Sequence, residues 1–179
     1  MKLNKLIGNS YDIIYADPPW DYNNKKLLTN GKSTRDVKFH YPTVVLNELK
    51  CLPINNISNT NCLLFMWSSS PHLNQAIALG ETWGFKYSTV AFVWNKINPV
   101  IGHYTMSSCE LCLVFKKGKI PSPRGSQNER QFLQELKSKH SCKPHEIRDR
   151  ISQMFPTQKK IELFARHKTK NWDYWGNEV

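Results

Sequence analysis

Asp17-Pro18-Pro19-Trp20 sets a carboxylate, two prolines that fix φ and an aromatic ring on four consecutive positions. Together these groups suit chemistry on the exocyclic amine of a base such as adenine. That amine is a poor nucleophile because its lone pair is delocalised into the ring. The Asp17 carboxylate and the Pro18 carbonyl can each accept one N–H, favouring a more tetrahedral nitrogen whose lone pair points at an electrophile. This is electrostatic preorganisation plus orientation, with no covalent step on the protein. Pro19 would hold the direction of the carbonyl, and an aromatic ring such as Trp20 would stack on a base that has left the helix or lies in a single strand. A bare Asp-Pro-Pro is equally an ordinary turn with a solvated carboxylate.

The elements that would position this tetrapeptide follow from the hydrophobic pattern. Residues 11–16 form a short apolar run that stops at the two prolines, which reads as a central strand ending in a rigid turn. Residues 61–67 read as a second buried strand, 85–96 as a third, 110–115 as a fourth and 161–165 as a late one, with 172–175 after it. Helices are expected over 43–49, from Ser70-Pro71 to a stop at Gly84, over 129–139 and over 144–154. Alternating strands and helices predict an α/β domain, a mostly parallel sheet with helices on both faces, spanning 1–179 as one unit. In such sheets ligands sit at the carboxyl ends of the strands. Trp67, Trp83 and Trp94 lie in apolar contexts and read as core.

The chain of 179 residues has 25 Lys and Arg against 14 Asp and Glu, a net charge of +11. That imbalance favours a polyanionic partner, with nucleic acid leading. Much of it concentrates in two loops, about 21–41 (Lys25, Lys26, Lys32, Arg35 and Lys38) and 116–130, expected at the carboxyl edge of the sheet, where phosphates would lie. No stretch is long and apolar enough for a membrane span, and the first ten residues lack the apolar region of a signal peptide, so a cytoplasmic protein is expected. Five scattered cysteines do not form a disulfide framework, and no metal site is expected: Cys109 and Cys112, three apart on a strand, point to opposite faces. The absence of P-loop and Gly-X-Ser-X-Gly spacings argues against phosphoryl and acyl transfer.

The tetrapeptide and seven further blocks, in order, resemble the DPPW-type N6-adenine methyltransferases, the family of the catalytic subunit of the messenger-RNA adenosine methyltransferase. The blocks are Tyr41-Pro42-Thr43, Leu64 to Trp67, Trp94-Asn95-Lys96, Glu110 to Val114, Lys143 to Ile147, Lys160 to Arg166, and Gly176-Asn177-Glu178. The resemblance implies a Rossmann-like methyltransferase fold in circularly permuted order, with S-adenosylmethionine as cofactor. The segment 162–166 would then take the cofactor-turn role, with Ala165 where the family usually has glycine. It implies Asp17, Pro18, Pro19 and Trp20 as the catalytic motif and Lys143, Arg166, Asn177 and Glu178 as cofactor contacts. His167 is offset by one residue from a cofactor-contacting histidine of the family. The acidic cofactor contact of the family falls in a segment that this chain lacks.

Tyr41 is a candidate to stack on the target adenine, or else a core residue opening a helix. Lys25, Lys26 and Lys32 are candidates for phosphate contacts. Glu110 could bond a cofactor or substrate group, or pair with Lys143. The size of the chain resembles small bacterial and phage versions of the family, so DNA is the expected substrate, with RNA as the alternative. A silent nucleic-acid-binding partner subunit is a further reading. One domain leaves no room for a separate recognition domain, so loose specificity, a homodimer or a partner subunit that supplies recognition is expected.

Overall fold

The computed structural model describes residues 6, 8–20, 46–102, 104–136 and 142–176. Its centre is β1 (Tyr11–Ala16), in which every residue but Asp12 is buried. A strand apolar on both sides needs cover on both sides, and the neighbouring elements supply it. Ile14 and Ala16 face a core shared with Leu49 of α1 (Leu46–Lys50) and with Ala76 and Leu79 of α2 (Leu73–Thr82). Ile13 and Tyr15 face the opposite core, closed by Ile147 and Ile151 of α3 (His145–Met154). The expected helices on both faces are present.

Seven strands among the described residues form one sheet: β2 (Ser58–Ser69), β3 (Lys86–Ile101), β4 (Met106–Lys117), β5 (Phe132–Gln134), β6 (Lys160–Leu163) and β7 (Asp173–Trp175) join β1 in the order β5-β3-β4-β2-β1-β6-β7. Pairing is parallel everywhere except on the two sides of β4, so β4 alone runs against the rest. From β1 the chain proceeds to β2 on one side, and it returns at its far end as β6 on the other. A crevice opens where strand order reverses in this way, outside the carboxyl ends. The late strand lies against the early one, Ala16 opposite Leu163, as a permuted order requires.

Three local expectations are corrected. Residues 129–139 do not begin a helix: β5 pairs in parallel with Val93–Asn95, burying Leu133 and leaving Phe132 and Leu136 exposed, while residues 137–141 lie outside the described ones. One inward side chain between two outward ones satisfies an edge strand and not a helical face. Ser70 does not cap the second helix; Ser69 precedes a short 3-10 turn over Ser70–His72, and α2 starts at Leu73. The third correction concerns the basic loop 116–130. Because β4 is antiparallel, it begins at the edge where β1 ends and carries Lys116 and Lys117 to the opposite edge. There Gly125 bonds the carbonyl of Met154 at the end of α3, and Arg124 lies over the ring of Phe155.

Trp67, Trp83 and Trp94 are core residues, each at most 1% exposed, and each indole N–H is satisfied: by Tyr15 Oη at 2.6 Å, Leu49 O at 2.8 Å and Glu135 O at 2.9 Å. Buried polar groups left unpaired would cost about 1–3 kcal/mol apiece, so these bonds fix how the strands seat on their neighbours.

The exit of β6 is tightly packed. Phe164 adopts φ 61°, a left-handed conformation that costs a bulky residue roughly 1–3 kcal/mol, and its ring meets Trp175 edge-on at 5.4 Å. Ala165 then donates its N–H to Trp175 O, which brings Gly176 against the Ala165 backbone. A Cβ at position 176 would collide with the Ala165 carbonyl oxygen and stand 2.6 Å from its nitrogen. The glycine that this turn requires is therefore Gly176, and Ala165 is accommodated. Gly176→Ala is expected to lower unfolding free energy by roughly 1–3 kcal/mol in urea melts; a variant as stable as the parent would contradict this packing.

Candidate active site

Asp17 leaves β1 at the carboxyl edge and is followed by a tight reversal in which the Trp20 N–H donates to the Pro18 carbonyl at 2.9 Å. Pro19, at the middle of this i to i+2 bond, has its φ set by its ring. A carbonyl oxygen has two acceptor sites, so Pro18 O keeps one after bonding Trp20. Trp20 itself is 6% exposed: its indole N–H donates to Trp67 O at 3.1 Å and its ring stacks on His72 at 5.8 Å. The sequence suggested an open aromatic face for a base. The structure instead uses Trp20 to anchor the turn, because an indole this size gains more from the core than from a solvent-facing position.

The Asp17 carboxylate meets Lys143, whose Nζ lies 2.9 Å from both oxygens. Lys143 also contacts Glu110 Oε2 at 3.2 Å, and Glu110 Oε1 receives Lys96 Nζ at 3.1 Å. All four side chains are at most 17% exposed. Burial alone pulls the Lys143 ammonium down, but Asp17 and Glu110 reverse this and hold it above the ordinary lysine range. Likewise burial pushes the Glu110 carboxyl up, and Lys143 and Lys96 together bring it below its usual value. Two cations and two anions alternate along the row, so the cluster is neutral and each charge is paired. Lys143 also sits 5.8 Å above the Trp67 ring, which adds a cation–π contact.

A cleft beside this row is lined by Asp17, Cys142, Lys143, Arg148, Glu162, Phe164, Arg166 and His167. Its floor is a second ion pair: Arg148, turned inward from α3, reaches Glu162 Oε1 at 2.9 Å and His145 Nδ1 at 2.8 Å. His145 and His167 pack ring to ring at 5.1 Å, and His167 is lowered by its partial burial and by Arg148 and His145 beside it. Two polar atoms of this floor, Glu162 Oε2 and Arg148 Nε, are buried with no hydrogen-bond partner among the described residues. Buried donors and acceptors beneath a cleft of mixed charge fit a zwitterionic, hydroxyl-bearing ligand.

The cleft therefore brings together Asp17, Lys143 and Arg166, with Pro18 and Pro19 following Asp17 in the turn rather than lining the cleft. Asn177, Glu178, Tyr41, Lys25, Lys26 and Lys32 lie outside the described residues. Glu110 pairs with Lys143, one of the two readings of its sequence position. Arg148 escaped sequence reading, although a charged residue beside Ile147 on the apolar face of an amphipathic helix is a signal for a buried pair. Asp12, at the other end of β1, is structural: it accepts from Asn59 Nδ2 at 2.7 Å and from the Lys159 N–H at 2.9 Å.

Burial lifts the Glu162 carboxyl from the ordinary value of 4.5 to about 6; Arg148 opposes the rise and Asp17 adds to it. The folded protein thus holds this proton more tightly than the unfolded chain. Its contribution to stability is fully present below about 4.5 and lost as pH rises through about 6, an effect on the order of 2 kcal/mol. The unfolding free energy of the parent minus that of Glu162→Gln should fall across this interval and level off above it. A difference that stays constant from pH 4 to pH 7 (about the span that the shift covers) would contradict the assignment.

Comparison with known proteins places these observations. The sequence pattern of the MT-A70 family matches residues 11–178. A Mycoplasma protein named Type II methyltransferase M.MunI is 49% identical over 189 residues, covering 98% of this chain and 80% of its own length. The human N(6)-adenosine-methyltransferase catalytic subunit METTL3 is 27% identical over 187 residues, covering 99% of this chain and 30% of its own. A putative MT-A70-like N(6)-adenosine-methyltransferase of Medicago truncatula is 27% identical over 97% of this chain and 27% of its own. The chain thus spans most of the Mycoplasma relative and less than a third of the other two. With the tetrapeptide at the end of β1, the β6 turn beside it and the cleft between them, the chain belongs to the MT-A70 family.

Proposed function

We propose that this protein is an S-adenosylmethionine-dependent methyltransferase that methylates the exocyclic N6 amine of adenine in DNA. The observation that carries this reading is the pairing of β1 with β6, which sets the Asp17 carboxylate on the wall of a cleft whose floor holds buried polar atoms unpaired among the described residues. S-adenosylmethionine would supply a methyl group already activated by its sulfonium. Arg166 would meet its carboxylate or adenine edge and Asn177 and Glu178 its ribose hydroxyls, whereas Lys143, read from the sequence as a cofactor contact, is engaged by Asp17 and Glu110. Asp17 accepts one N–H of the target amine, and the second acceptor site of Pro18 O takes the other. A carboxylate has about four acceptor sites, so Asp17 serves Lys143 and the amine together. Trp20 and Lys143 are positioning residues, one for the turn and one for the carboxylate.

The net charge of +11 suits either nucleic acid, and DNA is favoured over RNA by the likeness to a Type II methyltransferase at 49% identity. Tyr41 is proposed to close over the base, and Lys25, Lys26 and Lys32 to contact phosphates. The loop 116–130 is left out of this face because β4 delivers it to the opposite edge. The whole chain, 1–179, acts as one domain. Sequence recognition is shared with a second copy or a partner subunit, a reading supported by the human relative being named a catalytic subunit. No helix among the described residues is long and apolar enough to cross a membrane, and an enzyme of genomic DNA in a bacterial cell works in the cytoplasm.

Three outcomes follow. Asp17→Ala should lower kcat for methyl transfer to DNA by about 10²–10³, the scale for removing one preorganised polar group, with cofactor affinity changed far less; transfer that survives would sink the mechanism. Against matched RNA, DNA oligonucleotides should be the faster substrate in competition; preferential RNA methylation would reverse the substrate, and no transfer to either would leave a binding subunit. Replacing Lys25, Lys26 and Lys32 together by Ala should reduce the slope of log affinity on log salt by about 2–3 on duplex DNA; an unchanged slope places the phosphates elsewhere.

A further inference from the structure

The hairpin that joins β3 to β4 is apolar where it meets solvent. Of the nine exposed large hydrophobics among the described residues, five (Ile97, Val100, Ile101, Tyr104 and Met106) fall within its tip, with Ile101 at 74% and Tyr104 at 100% exposure. Scattered surface hydrophobics need no explanation, whereas five on one protrusion mark a contact surface. Its place is set by the sheet. β3 runs with β1, so its far end and the start of β4 rise from the same edge as Asp17. Lys96 pairs with Glu110, and Glu110 reaches Asp17 through Lys143, so the tip begins at Ile97, the residue next to the charge row.

The tip is also bent. Asn95 opposes Cys109 and Val100 opposes Ser107, so β3 spends five steps where β4 spends two. At the bend Ile97 takes φ 64°, held by its N–H on Asn95 Oδ1 at 3.1 Å. A bulge of this kind re-aims a strand end. The tip closes on the Gly102 N–H bonded to Thr105 O at 3.1 Å.

We propose that this tip is a wedge that enters the base stack of duplex DNA and holds the target adenine extruded toward Asp17. The inference rests on the reading of the protein as a DNA adenine methyltransferase and adds the element that opens the helix. An adenine N6 inside a duplex cannot reach a carboxylate in a cleft, and apolar side chains between base steps are an established way to unstack DNA. Position selects this occupant: the tip rises from the sheet edge at which a target base must meet Asp17, and from Ile97 to Cys109 the sequence has no acidic residue to repel phosphates.

Permanganate oxidation of thymines reads base unstacking on any duplex fragment, whatever the target sequence. The parent protein should make thymines opposite extruded adenines hyperreactive. Tyr104→Ala combined with Ile101→Ser should lose about tenfold of that reactivity, while Tyr104→Phe retains it. Both positions are exposed, so the thermal midpoint should change little, and circular dichroism melts check it. Methyl incorporation into the same fragment, scored separately, reports on the proposed reaction and not on the wedge. Equal thymine reactivity in parent and double variant overturns the proposal, as does its absence from the parent. A double variant that turns from dimer to monomer in sedimentation velocity, with reactivity preserved, would assign the tip to a protein interface instead.

Discussion

Lys143 held between Asp17 and Glu110 is the interaction on which the site depends. The lysine precedes α3, Glu110 lies on β4 and Asp17 follows β1, so one ammonium ties together three elements, with Asp17 and Lys143 126 positions apart. Desolvation works against every charge in the row, and the pairings more than offset it for Lys143 and Glu110. Taking away one partner would leave another buried charge exposed to that penalty, which typically costs about 3–5 kcal/mol. Lys96 matters for this reason: as the second cation it balances two carboxylates that would otherwise repel. A carboxylate fixed in this way needs no reorganisation when an amine arrives, and that is the condition for electrostatic preorganisation.

The reversed direction of β4 is what lets the row form. A parallel strand at this place would carry Glu110 to the far edge and bring the basic segment after Lys117 to the site. Antiparallel pairing does the opposite, putting Glu110 level with Ser69 and Trp94 near the carboxyl edge. The same reversal makes β3 and β4 a continuous hairpin whose tip lies at the same edge of the sheet as Asp17. One change of strand direction thus decides which charges and which apolar side chains come to the edge where Asp17 lies.

Much of this was legible in the sequence because it is local. The apolar run ending at Pro18-Pro19 predicted β1 and its stop, since proline ends a ladder wherever it occurs. The tryptophans read as core because their neighbours were apolar. What escaped reading was non-local. Residues 129–139 have helical spacing, but β3 offers a free edge and residues 132–134 take it. Strand direction is a property of the whole sheet, so the place of loop 116–130 could not be read from its own composition. Trp20 was read by its chemistry, as a stacking ring, when its burial against His72 depends on residues far along the chain. The left-handed residue of the turn after β6 is Phe164, and the close approach falls on Gly176, eleven positions beyond Ala165.

The central claim is that Lys143 acts through Asp17. A double-mutant cycle on the rate of methyl transfer, with Asp17→Asn, Lys143→Met and the pair combined, tests it most directly. If the lysine serves to fix the carboxylate, the combined variant should be scarcely slower than Asp17→Asn alone, a coupling of at least about 1 kcal/mol. Losses that multiply, so that the combined variant is slower by the product of the two single effects, would show that the two residues act independently and would contradict the account.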